Sequence, residues 1–180
     1  MEKISCGAAF EQYGVSTNHE RMDNGELRFR LIGPDKSSYI RCENAAGEPV
    51  WESSHSHAAL QELVLVQSGE VVYAEYRGGR AVFQLLRPGM YVVTTPDVPH
   101  NQCLTAHAVV HTVKFGDCSN PDWIAAPQLD ALTLPLTFEQ ARAQAEYGSQ
   151  RLSATYTADM TCRRNAGFCG WSISADSREP

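Results

Sequence analysis

Between about Glu26 and Phe115 apolar and polar residues alternate in short runs, and no run holds a helical period of useful length. The segment "ELRFRLI" sets Leu27, Phe29 and Leu31 against Glu26, Arg28 and Arg30, directly after the turn-forming "DNG" at 23–25. "GPDK" then turns the chain into "SSYIRCE", and "NAAGEP" turns it again into "VWESSHSH". Further runs follow, "LQELVLV", "VVYAEY", "AVFQLL", "YVVTT" and "AVVHTVKF", each bounded by Gly, Pro, Ser or Asp. "RGGR" at 77–80 lacks the length and the following helix of a phosphate loop and reads as a hairpin turn. Short strands spaced in this way predict an all-β antiparallel sandwich or small barrel.

The pattern changes after Phe115. "GDCSNPDWIAAPQ" reads as an irregular connection, and "LTFEQARAQAEYG" as a helix over about 137–147. There Thr137 stands as N-cap, Gln140 completes a capping box and Gly148 is the stop. The last stretch, with little periodicity and a polar end, reads as an irregular tail. The expected organisation is an N-terminal extension over 1–25, a barrel over 26–116, and a C-terminal extension over 117–180 that carries the helix.

Composition narrows the function. At 180 residues and 43 % hydrophobic content, the chain fits one domain with a sizeable core. A formal net charge of −6 argues against a phosphate-tracking surface, and the longest basic cluster is Arg163–Arg164. The expected partner is therefore a small molecule, not nucleic acid. The N-terminus lacks the apolar run of a secretory signal, and no stretch approaches the ~20 apolar residues of a spanning helix, so no membrane partner is expected. The six cysteines (Cys6, Cys42, Cys103, Cys118, Cys162, Cys169) never form Cys-x-x-Cys, which suits a reducing cytoplasm. Cys162 and Cys169 are near enough in sequence to meet in a loop, and the sequence does not decide whether they pair.

The candidate chemistry lies in "ESSHSHAALQELVLVQSGE". Residues i and i+2 of a strand share a face, so His55 and His57 can project two imidazoles into one cavity. Glu62 stands at an odd offset from His57 and joins them only if a turn intervenes near Ala58-Ala59-Leu60. In "TTPDVPHNQCL" His100 follows Pro96 and Pro99, which fix the backbone approach to another short strand. Three neutral imidazoles and one carboxylate suit one divalent ion of Fe, Mn, Ni, Co or Zn, with open positions for water or substrate. Asn101 or Gln102 is a candidate acceptor for orienting a ligand imidazole. His111 is a weak candidate for acid–base work or substrate contact, weighed against an ordinary hydrogen-bonded histidine. Tyr73, Glu75, Phe83, Gln84 and Tyr91 lie on strands whose alternate residues face inward, with Glu75 expected to face solvent. Cys103 reads as a buried inert thiol.

"HSHAALQELVLVQSG" resembles the first cupin motif: His-x-His, a short gap, Glu, a longer gap, Gly. "GMYVVTTPDVPHN" is similar to the second, a glycine and proline turn leading to a third histidine, but "PDVPH" has no glycine where the family usually has Pro-x-Gly-x-x-His and is one residue shorter. The resemblance covers about residues 47–115. It implies a small double-stranded β-helical barrel of the jelly-roll kind, metal ligands at His55, His57, Glu62 and His100, and turn glycines at Gly69 and Gly89. It further implies a mononuclear metal enzyme of oxygenase or dioxygenase type with Fe(II). The alternatives are a metal-dependent sugar or sugar-phosphate isomerase or epimerase, and a non-catalytic binding module. Barrels of this family often pair, so a homodimer through the segment before Gly47 is expected.

Overall fold

The computed structural model describes residues 4–119 and 122–148. Its elements are α1 (Cys6–Tyr13), β1 (Ser16–Arg21), β2 (Glu26–Ile32), β3 (Ser38–Asn44), β4 (Val50–Trp51), β5 (His55–Ser56), β6 (Gln61–Ser68), β7 (Val71–Arg77), β8 (Arg80–Leu86), β9 (Tyr91–Val93), β10 (His100–Leu104), β11 (Val109–Phe115), β12 (Ile124–Ala125) and α2 (Pro127–Thr133). A third helix, α3, covers 138–148. The strands build two antiparallel sheets. One runs β1-β2-β3-β11-β6-β9 and the other β12-β5-β10-β7-β8, with β4 also pairing β10. The chain is an all-β jelly roll with helices at its margins.

Alternation along the strands points one row of side chains between the sheets. Ile40, Cys42, Val64, Val66, Val71, Tyr73, Leu86, Leu104 and Val110 meet there as a single core. The β6–β7 turn is tight against it. Gly69 has φ +77, and a Cβ at that position would lie 2.6 Å from the Ala108 Cβ, so only glycine fits. At 77–80 Arg77 pairs with Arg80 across Gly78 and Gly79, both at positive φ, which is a two-residue hairpin turn.

A second apolar cluster lies on the outer face of the β10-β7-β8 sheet. Val72, Leu85 and Cys103 pack there against Phe138, Ala141 and Ala145 of α3. Thr137 and Gln140 exchange the two bonds of a capping box, the Gln140 oxygen accepting from the Thr137 N–H at 2.9 Å. Cys103 is therefore under a helix and away from the cavity, and burial pushes its thiol up to about 12. The connection after Phe115 is more ordered than its sequence suggests, since it supplies β12, which pairs with β5, and α2. Helix α1 buries no residue, so no apolar stripe announced it; Ser5 caps its start and Gly14, at φ +67, its end. The C-terminal tail, Cys162 and Cys169 lie outside the described residues.

Candidate metal centre

His55, His57, Glu62 and His100 come together, although they arrive from different directions. His55 lies on β5 and pairs directly with His100 on β10. The chain then bends at 58–59 and leaves for the other sheet, where β6 starts with Glu62 on its inner face. The bend removes the odd-offset problem between His57 and Glu62. It is held by Asp122, whose carboxylate accepts from the N–H groups of Ala58, Ala59 and Leu60 at 3.1, 2.9 and 3.0 Å. Thr94 fixes Glu62 from the opposite side, its hydroxyl accepting from the Glu62 N–H at 2.9 Å.

The third histidine arrives without the usual glycine. Asp97 takes φ +62, the left-handed conformation that glycine adopts most readily and that aspartate tolerates better than most residues. Its N–H donates to the His57 carbonyl at 2.7 Å, which ties the two motifs together. The shorter turn therefore still delivers His100 to the cluster.

Each imidazole has one nitrogen fixed by a backbone carbonyl. His55 Nδ1 donates to Ser53 O at 3.0 Å, His57 Nδ1 to Asp122 O at 2.6 Å and His100 Nδ1 to Val98 O at 3.1 Å. A carbonyl can only accept, so each Nδ1 carries a hydrogen, and in its neutral form each ring presents a lone pair at Nε2. Asn101 and Gln102 do not perform this orienting role. Asn101 turns outward to Thr133, and Gln102 bonds Glu52.

The Nε2 atoms of His57 and His100 each lie 3.2 Å from a different oxygen of Glu62. Lone pairs facing a carboxylate call for a cation, and one cation is already present. Lys114, the cross-strand partner of Glu62, places Nζ 2.5 Å from Glu62 Oε1 and 3.2 Å from His57 Nε2. Burial raises the Glu62 carboxyl, but hydrogen bonds from His100 and His57 when those rings carry a proton at Nε2, with the Lys114 charge, outweigh that and hold it well below the usual carboxylate range. Burial and the neighbouring His100 push His55 down to about 4, which keeps it neutral near pH 7. One ligand atom from each of the four residues falls within 4.8 Å of the others. Bonds of about 2.0–2.2 Å to a shared ion need only a small contraction of such a set.

The centre opens on a cavity of about 380 Å³, lined by His55, Glu62 and Lys114 at one part and by Arg28, Glu52 and Gln102 at another. Half-exposed Trp123 also lines it and stacks on His55 with ring centroids 5.6 Å apart. Tyr73 stacks on His100 from the core side and donates to Glu75. Glu75 does not face solvent freely: its side chain is 16 % exposed and bonded to Arg77. His111 points away from the cavity, to the outer face, where Tyr39 and Gln67 take its two nitrogens. The inner row of β11 is Val110, Thr112 and Lys114, so the candidate on that strand should have been the lysine. Its signal was a charge in register with buried residues on an otherwise apolar strand. Asp122 and Trp123 carried no comparable signal.

Strand β2 holds a larger surprise. Its charged row faces inward, with Glu26 fully buried and Arg28 and Arg30 on the cavity wall, while Leu27, Phe29 and Leu31 form the outer row. Arg28 Nη2 lies 2.8 Å from Glu26 and 3.2 Å from Glu52. Glu26, Cys42 and Glu52 also satisfy the spacing of a metal cluster, but Arg28 already supplies their cation. Burial and the Glu52 charge raise Glu26 to about 7, against the lowering effect of Arg28.

No family model matches the chain, and no curated protein is similar to it in sequence. Solved structures do match. A deletion mutant of Bacillus subtilis oxalate decarboxylase superposes with a TM-score of 0.51 at 11 % identity, over 71 % of this chain and 37 % of that longer one. The chain has the cupin fold. A Klebsiella pneumoniae protein with a double-stranded β-helix domain gives a TM-score of 0.48 at 18 % identity, over 59 % of this chain and 84 % of that one. A cupin superfamily protein of Desulfitobacterium hafniense gives 0.44 at 15 % identity, over 54 % and 84 %. At these identities the likeness concerns the cupin fold, and the chemistry has to be argued from the side chains.

The buried carboxyl of Glu26 predicts a pH-dependent stability. A folded value of about 7 against an ordinary 4.5 means the folded chain holds a proton that the unfolded chain releases. Stability contributed by that proton is full below about pH 4.5 and is lost as pH rises toward 7. In urea unfolding between pH 5 and 8, Glu26→Gln should therefore gain on the native chain by about 2 kcal/mol as pH rises. Parallel pH profiles for the two proteins would contradict it.

Proposed function

We propose that this chain is a metal-dependent enzyme that acts on a small polar or anionic molecule at one divalent ion, with Fe(II) and oxygenase-type chemistry as the first choice. The observation that supports it best is the set of three imidazoles whose Nδ1 atoms are spent on carbonyls, leaving Nε2 of each for an ion with one carboxylate beside a cavity. His55, His57, Glu62 and His100 would hold the ion. A metal there would supply Lewis-acid polarisation and, as Fe(II), redox chemistry with dioxygen. The chain's own groups do the rest. Lys114 holds the Glu62 carboxylate at the cavity wall, and Trp123 stacks on His55.

Isomerase or epimerase action on a sugar phosphate ranks lower. It needs cations free for a phosphate, whereas Arg28 is matched by Glu26 and Glu52, and Arg30 lies 3.6 Å from Glu20. The non-catalytic module remains the rival of another class, distinguished by the absence of turnover on a metal-loaded chain. A cytoplasmic setting is part of the proposal and accords with the free thiols of Cys6, Cys42, Cys103 and Cys118. Among the described residues no helix is long and apolar enough to cross a membrane.

Elemental analysis of protein purified without chelator tests the reading. Near-stoichiometric metal is expected in the native chain and its loss in both His55→Ala and Glu62→Ala. A native chain that stays metal-free after anaerobic reconstitution with Fe(II) would contradict it. We also propose that protomers pair through β1, which ends its sheet with one edge unpaired among the described residues. Sedimentation equilibrium at micromolar protein should then show a dimer; a 19.9 kDa species alone would remove the idea.

A further inference from the structure

The part of the cavity lined by Gln102, Glu52 and Arg28 has hydrogen-bonding capacity that the fold itself does not use. Gln102 follows His100 by two residues on β10 and shares its face, so it lies roughly 6–7 Å along the strand from the metal centre. Its amide orientation is set by Glu52, since Nε2 donates to Glu52 Oε1 at 3.0 Å. Its Oε1 is then an acceptor, on a side chain more than nine-tenths buried, with no partner among the described residues. Arg28 converges on the same carboxylate oxygen through Nη2 at 3.2 Å, while its Nε is buried and also has no partner among the described residues. Buried polar groups are seldom left unpaired, and those that are call for an occupant.

We infer that Gln102, Glu52 and Arg28 form a subsite for a hydroxyl group, and that the substrate is a short hydroxylated carboxylic acid held by its carboxylate at the metal. The inference deepens the function proposed above and rests on it. A hydroxyl both donates and accepts, so it can satisfy the Gln102 carbonyl and the Arg28 N–H together. A second carboxylate would face the Gln102 oxygen and the Glu52 carboxylate, and Arg28 has no unmatched charge with which to repay it. A methyl group would leave both polar atoms unpaired. The strand spacing of roughly 6–7 Å between the two sites fits a chain of about four carbons.

Three probes with a common carboxylate separate these cases: 4-hydroxybutanoate, butanoate and succinate, titrated into the full chain loaded with Co(II) and followed by the metal's visible bands. The expected result is 4-hydroxybutanoate binding at least tenfold more tightly than the other two. In Gln102→Leu that preference should fall to within about twofold, a loss of about fivefold, which is roughly what one hydrogen bond is worth. Equal binding of the three probes by the native chain overturns the inference whatever the variant does, and so does a preference that survives in Gln102→Leu. Acetate serves as the control for the centre itself. If acetate perturbs the bands but the hydroxyl confers nothing, the subsite fails and the metal centre stands; a chain that takes up no Co(II) overturns the metal reading and the subsite with it.

Discussion

A neutral imidazole has one N–H and one lone pair, and the cavity depends on which nitrogen holds which. Three backbone carbonyls, from Ser53, Val98 and Asp122, fix that choice for His55, His100 and His57. None of these carbonyls belongs to a regular part of a strand. They lie before β5, before β10 and in the segment ahead of β12, where the chain leaves the ladder and its carbonyls are free to accept. The irregular segments therefore aim the rings, while the strands set how far apart they stand. Asp122 performs both duties, holding the bend after His57 with its carboxylate and the His57 ring with its carbonyl.

The second constraint is charge inside a barrel. Glu62, Lys114, Glu26, Arg28 and Glu52 are all placed between the sheets or on the cavity wall, where unpaired charges would be costly. They are arranged as two neutralised groups. Lys114 serves Glu62, and Arg28 serves Glu26 and Glu52. The first group offers lone pairs to a cation of higher charge. The second keeps its cation and leaves buried hydrogen-bonding atoms of Gln102 and Arg28 without a partner among the described residues. The two ends of one cavity thus select for different chemical groups.

How legible this was in the sequence varied with the kind of signal. The fold could be read because turn residues punctuate short alternating runs, and the cluster could be read because His-x-His, Glu and Gly stand at a recognisable spacing. His100 was harder, since Asp97 adopts the backbone conformation in which the motif expects glycine. Lys114 and the inward row of β2 were not legible, because alternation gives two faces without saying which is inside. In a barrel with a polar cavity the charged face of "ELRFRLI" is the interior one, contrary to the usual bias of burial. His111, weighed between a pocket residue and an ordinary hydrogen-bonded histidine, is bonded to Tyr39 and Gln67 on the outer face. Asp122 acts across more than sixty positions through the backbone, where residue type leaves no periodic trace.

The central claim is that three carbonyl-anchored imidazoles present Nε2 to a single ion. X-ray absorption of the zinc-loaded chain tests it most directly, because multiple scattering counts imidazole ligands. Three imidazoles with the remaining shell made of oxygen, at about 2.0–2.2 Å, is the predicted result. Fewer than three imidazoles, or sulfur at about 2.3 Å, would contradict it.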